Sequence, residues 1–188
     1  MNEKHTTHHP VTAHPVTDER ELLLLLLENQ RTALRNALAG LNENQARSVP
    51  SASEMSLSSL LKHVIDGEEA MTSRITGVPR SGDRDPIAAW MAAWNVGDQD
   101  TVAALIARFD DARRATESGI AAEESLDREV PLRPEVTQWM QPGVVYTVRY
   151  LLLHQIEEFA RHAGHADIIR QSIDGARADT LARGTGWS

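Results

Sequence analysis

Apolar and polar positions alternate along the chain with the period of an α-helix. In the first such stretch the apolar residues recur at spacings of three and four and share one face: Leu23, Leu27, Leu34, Leu38 and Leu41. Asp18 has the side chain of a typical N-cap, and Gly40 is a typical helix end. The pattern therefore predicts a first helix from Asp18 to about Ala39.

Three further stretches have the same character. The second opens at a Ser56 or Ser58 cap, carries an apolar stripe and ends at Gly77: Leu57, Leu60, Leu61 and Val64. The third follows Asp100 and turns Leu105 and Phe109 inward. The fourth is predicted from about Val144 to Ile173, with Gly164 inside it as a point of close approach to the second helix. Four amphipathic helices without strand patterns predict an all-α four-helix bundle.

Two long connections separate these helices. The connection from 78 to 99 contains Trp90 and Trp94, which are four residues apart and share a helical face as core packing or as the wall of a ligand site. The connection from 125 to 143 contains three prolines and is either a simple crossover or a lid over a site.

The ends of the chain differ from this helical middle. Residues 1–17 are polar, interrupted by proline and rich in histidine without helical spacing, which is typical of a disordered tail. We therefore expect a bundle domain over 18–176 and a C-terminal tail over 177–188.

The run Leu22–Leu27 is apolar on all sides of its helix. A helix of this kind is buried by more than one neighbour or also faces a second subunit, so the chain is expected to form a homodimer. The run is too short to span a membrane, and no signal-peptide core is present. A cytoplasmic location is therefore expected by default.

The amino-acid composition argues against several classes of function. Nineteen Lys and Arg against 27 Asp and Glu give a formal net charge of -8, and the basic residues do not cluster, so a nucleic-acid surface is not expected. Cysteine is absent, which excludes disulfides, thiolate metal sites and a protein-borne sulfur nucleophile.

The fourth helix carries the most specific polar pattern. Steps of four, four and three residues place one carboxylate and three imidazoles on one face: His154, Glu158, His162 and His165. A metal ion is the commonest single partner that satisfies several such groups when they are buried. An exposed polar stripe with one or two satisfied core histidines is the alternative.

His63, near the edge of the apolar stripe of the second helix, is the candidate third ligand beside Glu158 and His162. Three protein ligands with an open coordination position are typical of a catalytic site. This set suits zinc and also accommodates nickel, iron, cobalt or manganese. A single histidine in such a position is more often a satisfied core histidine than a ligand, and it is the Glu158–His162 pair on the other helix that favours the ligand here.

The motifs SLLKHVIDGEE and LLLHQIEEFARHAGHAD resemble those of the DinB-like superfamily of metal-binding four-helix bundles, over about Glu19 to Asp174. The closest resemblance is to its actinobacterial branch of unknown function. Three histidines are typical of the superfamily. Glu158 replaces one of them here, and the resulting set is similar to the zinc triad of mycothiol-dependent maleylpyruvate isomerase. That enzyme has an additional C-terminal domain, whereas this sequence ends at Ser188.

The resemblance implies a DinB-like bundle with a long crossover connection, and a metal-dependent thiol S-transferase. Its cosubstrate would be mycothiol or a related low-molecular-weight thiol, and its partner an electrophilic small molecule. The alternatives are a metal-dependent hydrolase and a non-catalytic protein that binds a metal or a small ligand.

Overall fold

The computed structural model describes residues 16–80, 88, 91–131 and 142–182. Within these residues the named helices are α1 Glu19–Leu38, α2 Glu43–Arg47, α3 Leu57–Thr76, α4 Val102–Ala121, α5 Val148–Asp174 and α6 Ala178–Ala182. The four long helices close into a bundle in which α1 packs against α5, α5 against α3, α3 against α4, and α4 against α1. The predicted all-α four-helix bundle is confirmed.

Two groups of buried side chains fix the direction of each helix. One group joins the start of α1 and α5 to the end of α3 and α4: Leu23, Leu151, Met71 and Ile120. The other joins the opposite ends: Leu38, Ile169, Leu57 and Leu105. Because α3 and α4 run in the same direction, the chain between them has to return along the whole bundle, and residues 77–101 are this long crossover.

Side-chain caps set where the long helices begin. Asp18, Ser56, Thr101 and Thr147 each accept a hydrogen bond from a backbone N–H in the first turn of the helix that follows. Left-handed glycines end two of these helices: Gly77 (φ 72°) ends α3 and Gly175 (φ 76°) ends α5.

Helix α5 begins at Val148, four residues later than the predicted start at Val144. The preceding residues are extended instead, because the Val130 N–H donates to the Tyr146 carbonyl at 2.7 Å and Glu129 forms a β-bridge with Thr147. This pairing and the Thr147 cap together prevent an earlier start.

The prediction for Gly164 is wrong. The residue is exposed, and a Cβ built on it meets nothing within 4 Å, so it does not mark a close approach to α3. The predicted C-terminal tail contains α6, which packs against α1. Trp90 and most of the predicted N-terminal tail lie outside the described residues.

A charged pair lies inside the apolar core. Arg31 of α1 and Glu68 of α3 are both fully buried and form a salt bridge, and the Thr116 hydroxyl donates to the same carboxylate at 2.8 Å. Such a pair is costly to break, because the remaining charge would be buried alone. It therefore fixes α1, α3 and α4 relative to one another.

None of the helices described has the length and apolar character needed to cross a membrane.

Candidate functional site

His63 of α3 and His162 of α5 meet where these two helices pack. Their ring centroids lie 5.0 Å apart with the planes at 77°. His162 is buried, with 7% of its surface exposed, and His63 is partly buried. The fold therefore brings together two side chains that are 99 positions apart in the sequence.

Glu158 lies one turn before His162 on α5. Its Oε2 atom is 3.7 Å from His162 Nε2, while its Oε1 atom accepts a hydrogen bond from Arg161 Nη1 at 2.6 Å. The carboxylate thus stands between a buried imidazole and an exposed guanidinium.

Three imidazole nitrogens in this region have no hydrogen-bond partner among the residues that the structure describes. The Nδ1 atoms of His63, His162 and His165 are buried and unpaired. The His165 ring contacts the His162 ring edge at a centroid distance of 5.6 Å, so His165 borders the site. Buried polar atoms are normally satisfied, and three orphaned nitrogens at one place therefore indicate a ligand site.

Both site imidazoles are neutral at neutral pH. Burial and, to a smaller extent, the proximity of His162 lower the pKa of His63 to about 4, against the opposing effect of Asp66. Burial also lowers the pKa of His162, against the opposing effect of Glu158. A neutral imidazole keeps one nitrogen lone pair free, which is the form that binds metal ions.

Trp94, from the crossover between α3 and α4, covers the histidine pair. Its ring stacks on His63 at a centroid distance of 3.9 Å and an angle of 16°, and it contacts His162 edge-on at 6.1 Å. Trp94 also packs against the apolar core, so its position is compatible with both readings, core packing and the wall of a site.

His154, the other histidine of the predicted stripe, lies outside the site. It is exposed, its ring stacks on Tyr150 at 6.1 Å, and its Nδ1 atom is 3.4 Å from a carboxylate oxygen of Glu157. Two of the three arginines of α5 are also engaged elsewhere, whereas Arg161 binds Glu158. Arg149 pairs with Glu19 and Asp127, and Arg170 is buried and donates to backbone carbonyls at the end of α1.

Sequence reasoning missed Gln155 and Gly67. The Gln155 side chain is buried on α5, three residues before Glu158, and no described residue hydrogen-bonds to its amide. An added Cβ on the exposed Gly67 would lie 4.0 Å from Gln155 Nε2. The sequence does show a glutamine three residues before Glu158 on the polar face of the helix. It does not show which residue of α3 lies opposite this glutamine.

Among the residues that the structure describes, no three His, Asp or Glu side chains already form a group that could hold a metal ion. The two imidazoles are close together, but Glu158 is turned towards Arg161. The arrangement offers two neutral nitrogen donors, a nearby carboxylate and a tryptophan wall.

Comparison with known proteins supports the same fold. A solved structure described as a conserved protein from Enterococcus faecalis has a TM-score of 0.61, covers 87% of this chain and 100% of its own, and is 18% identical in sequence. At that identity the likeness concerns the fold alone. No curated protein matches the chain.

The family comparison goes further than the fold. Residues 22–175 match the mycothiol-S-transferase family, and this range contains all four long helices apart from the first three residues of α1. The match agrees with the DinB-like resemblance of the two histidine motifs. The chain therefore belongs to the mycothiol-S-transferase family.

Proposed function

We propose that this protein is a metal-dependent thiol S-transferase that joins mycothiol, or a related low-molecular-weight thiol, to an electrophilic small molecule. Family membership supports the transfer of a thiol. The observation that carries the metal dependence is the pair of neutral imidazoles, His63 and His162, whose ring centroids lie 5.0 Å apart. Their buried Nδ1 atoms have no hydrogen-bond partner in the described part of the chain.

His63, Glu158 and His162 would hold the cation. The donor types fit, since two neutral imidazoles and one carboxylate are a common ligand set for zinc, and also for nickel, iron, cobalt or manganese. To complete the set, the Glu158 side chain has to turn away from Arg161. Arg161 is exposed on the same helix, so this rotation requires no movement of the backbone.

In the reaction, the cosubstrate S–H bond is broken and its proton is released. The sulfur electron pair then forms a bond to the electrophilic carbon, and the leaving group departs with the electron pair of its bond. In an addition to a double bond, the displaced electron pair moves to the neighbouring atom, which takes up a proton. A bound divalent cation supplies the lowering of the thiol pKa from its usual value of about 8.5. The protein has no cysteine, so the nucleophilic sulfur belongs to the cosubstrate.

The described residues around the pair have separate roles. Trp94 covers one face of His63 and excludes water from it. Gln155 offers a buried amide beside Gly67, where the helix surface is open, and this amide is suited to hold a carbonyl or hydroxyl of a substrate.

The proposal includes a cytoplasmic location, where low-molecular-weight thiols are kept reduced. It also includes a homodimer, because leucines on the outer side of α1 are exposed, among them Leu25 at 46%.

Hydrolysis through an activated water is less well supported, because it needs a free general base. Glu68 of α3 is paired with the buried Arg31, and the two other carboxylates that follow His63 on this helix, Asp66 and Glu69, are both bound by Arg80 and Arg108. None of these carboxylates is available to accept a proton without breaking these ion pairs.

The test compares metal-stripped protein with protein reloaded with zinc. We expect about one metal ion per chain after reloading, and conjugation of a thiol to an alkyl or aryl halide only in the reloaded form. A screen of mycothiol and other small thiols identifies the cosubstrate. Metal binding without any conjugation would contradict catalysis and favour a metal-binding protein; equal conjugation by stripped and reloaded protein would contradict the metal dependence.

A further inference from the structure

A notch opens in the surface of α3 one turn after His63. It is formed by Gly67, an exposed residue in the interior of the helix, where no side chain covers the backbone. An added Cβ would meet Gln155 Nε2 at 4.0 Å, which is an ordinary van der Waals contact, and Gly67 is not among the glycines with positive φ. Because glycine inside a helix is less stable than alanine, and neither packing nor backbone conformation requires it here, the open space itself calls for an explanation.

The Gln155 side chain faces this notch from α5. The residue is only 6% exposed, its amide forms no hydrogen bond with a described residue, and Nε2 is the atom nearest to the missing Cβ. Side-chain amides in such positions are normally paired. What remains to hydrogen-bond to this amide is whatever enters the notch. The buried, unpaired amide therefore indicates a ligand, and it does so independently of the glycine.

The notch lies beside the proposed cation ligands and on the same two helices. Because α3 and α5 run in opposite directions, the step forward from His63 to Gly67 and the step back from Glu158 to Gln155 lead the same way along the bundle. One helical turn advances by about 5.4 Å. A chain of about four covalent bonds spans this distance, so one small molecule can reach both the cation and the notch.

We propose that Gly67 and Gln155 form the subsite of the thiol cosubstrate, where they hold an amide group about three to five bonds from the sulfur. The assignment rests on the proposed thiol transfer, in which the sulfur is bound at the cation. Because the notch adjoins the cation ligands, its occupant belongs to the molecule that carries the sulfur and not to the electrophile.

The chemistry of Gln155 matches an amide group. Its side-chain carbonyl accepts a hydrogen bond from the N–H of the ligand amide, and its Nε2 donates to the ligand carbonyl. Gly67 leaves the room that the planar group needs. A plain alkyl thiol would occupy the notch without pairing Gln155, and leaving a buried amide unpaired costs binding free energy.

Two thiols of similar length test the subsite: N-acetylcysteamine, which carries the amide, and 1-butanethiol, which does not. Calorimetry on zinc-loaded protein gives a dissociation constant for each. Gln155→Met keeps the length of the side chain and removes its hydrogen-bonding groups. It should weaken binding of N-acetylcysteamine by about tenfold and of 1-butanethiol by less than about twofold. Comparing the two changes cancels the different acidity of the thiols.

Filling the notch is the second arm of the experiment. Gly67→Val places a branched side chain next to Gln155 and should weaken binding of N-acetylcysteamine by about tenfold. Gly164→Val is the matched control, because Gly164 is also an exposed glycine inside a helix, and its Cβ would meet nothing within 4 Å. It should leave binding unchanged. Zinc content and melting curves of every variant check that the metal site and the fold are retained.

A spectroscopic measurement separates direct contact from an indirect effect. The side-chain NH2 signals of Gln155 are identified in the nitrogen–proton NMR spectrum by their absence in Gln155→Met. In zinc-loaded parent protein these signals should shift more on addition of N-acetylcysteamine than on addition of 1-butanethiol. Equal shifts with both thiols would show that the amide of the ligand does not contact Gln155, and would overturn the proposal.

Three results of the binding experiments would also overturn it. They are equal weakening of both thiols by Gln155→Met, equal effects of Gly67→Val and Gly164→Val, and no binding of either thiol to zinc-loaded protein. A loss of nitrobenzamide binding in Gln155→Met, with N-acetylcysteamine unaffected, would assign the notch to the electrophile instead.

Conjugation of both thiols to one uncharged aryl halide is measured last. Amide-selective binding that depends on Gln155, without any conjugation, would reject the transferase function and keep the subsite. Conjugation of both thiols that Gln155→Met slows equally would reject the subsite and keep the function.

Discussion

At the scale of single residues, the two site imidazoles are neutral, close together and short of partners. If His63, Glu158 and His162 share one cation, replacing any of them by Ala should lower metal affinity by at least about tenfold, because a ligand is lost. His165→Ala is the control and should have a smaller effect, since His165 only borders the pair. Equilibrium dialysis with zinc measures these affinities; full metal retention in all four variants would contradict the assignment.

Glu158→His examines the same site in a different way. It creates three imidazole donors and raises the charge of the site by one unit. We expect metal binding to persist, with a changed preference among metals. Dialysis against zinc, nickel and cobalt measures this preference, and loss of all three metals would indicate that the carboxylate itself is required.

Asp167, also on α5, is a half-buried carboxylate with no ion pair to any described residue, and burial raises its pKa. A folded-state pKa above the unfolded value means that the folded protein binds the proton more tightly. The associated stability is therefore present at acidic pH and is lost as the pH rises through the folded pKa. Asp167→Asn removes this loss and should stabilise the protein at pH 7 by up to about 1 kcal/mol, with no gain near pH 3. Thermal melts at both pH values measure the difference, and an equal effect at the two would argue against it.

The sequence could predict contacts between site residues on one helix, but not contacts between site residues on different elements. Glu158 and His162 are neighbours because residues four apart on one helix always are. His63 could be added to this pair only because a second motif pointed to it. The sequence could not decide whether Trp94 is core packing or the wall of a site, because its position depends on the path of the crossover. Gln155 was missed because no sequence pattern says which residue of α3, here Gly67, faces it.

At the scale of the elements, most helix termini could be predicted from the sequence, whereas the start of α5 could not. Asp18, Ser56 and Gly77 act locally, so their caps follow from residue type. The start of α5 does not, because Tyr146 is held in an extended conformation by the Val130 N–H, which belongs to the preceding connection. A contact between distant residues thus sets the start of α5, and the β-branched Val144 and Val145 have little helical preference to oppose it.

Two glycines of α5 provide a prediction at this scale. Gly164 lies inside the helix with open space around it, so Gly164→Ala should stabilise the protein by about 0.5–1 kcal/mol through the lower entropy of the unfolded chain. Gly175 ends the helix at a φ of 76°, so Gly175→Ala should destabilise it by about 1 kcal/mol. Urea denaturation measures both; effects of the same sign would show that backbone conformation is not the cause.

At the scale of the whole molecule, four amphipathic stretches sufficed to predict the bundle. A long crossover was implied by the resemblance, and of the two long connections it is the one between α3 and α4 rather than 125–143, because α4 and α5 run in opposite directions. The directions of the helices had to come from the structure, since the periodicity of α3 and α4 is the same whichever way they run. The buried Arg31–Glu68 pair was equally unpredictable, because charged residues with helical spacing are normally exposed.

The predicted N-terminal tail, residues 1–17, is expected to lie outside the folded unit. Removing residues 1–17 keeps Asp18, whose side chain accepts a hydrogen bond from the Glu21 N–H at 3.1 Å and starts α1. We expect the melting temperature to change by less than about 2 °C and the metal content to stay near one per chain. A full-length sample is the control, and loss of metal on deletion would assign the site to the histidines of the tail.

The last prediction concerns assembly. Leu22, Leu25 and Leu26 of α1 are 44%, 46% and 39% exposed, and Leu153 of the adjacent α5 is 50% exposed. Since α1 and α5 pack against each other and run in the same direction, these side chains lie towards the same end of the bundle, and we expect a second copy to cover them.

We therefore expect a dimer by light scattering at micromolar concentration. A variant with Leu22→Glu and Leu25→Glu should be monomeric, because two carboxylates on each subunit would have to be buried in the interface. Ile168→Glu is the matched control: Ile168 is an equally exposed apolar residue, at 60%, towards the other end of α5, and its replacement should leave the dimer intact. A monomeric parent protein, or a dimer that survives both leucine changes, would exclude this surface as the interface.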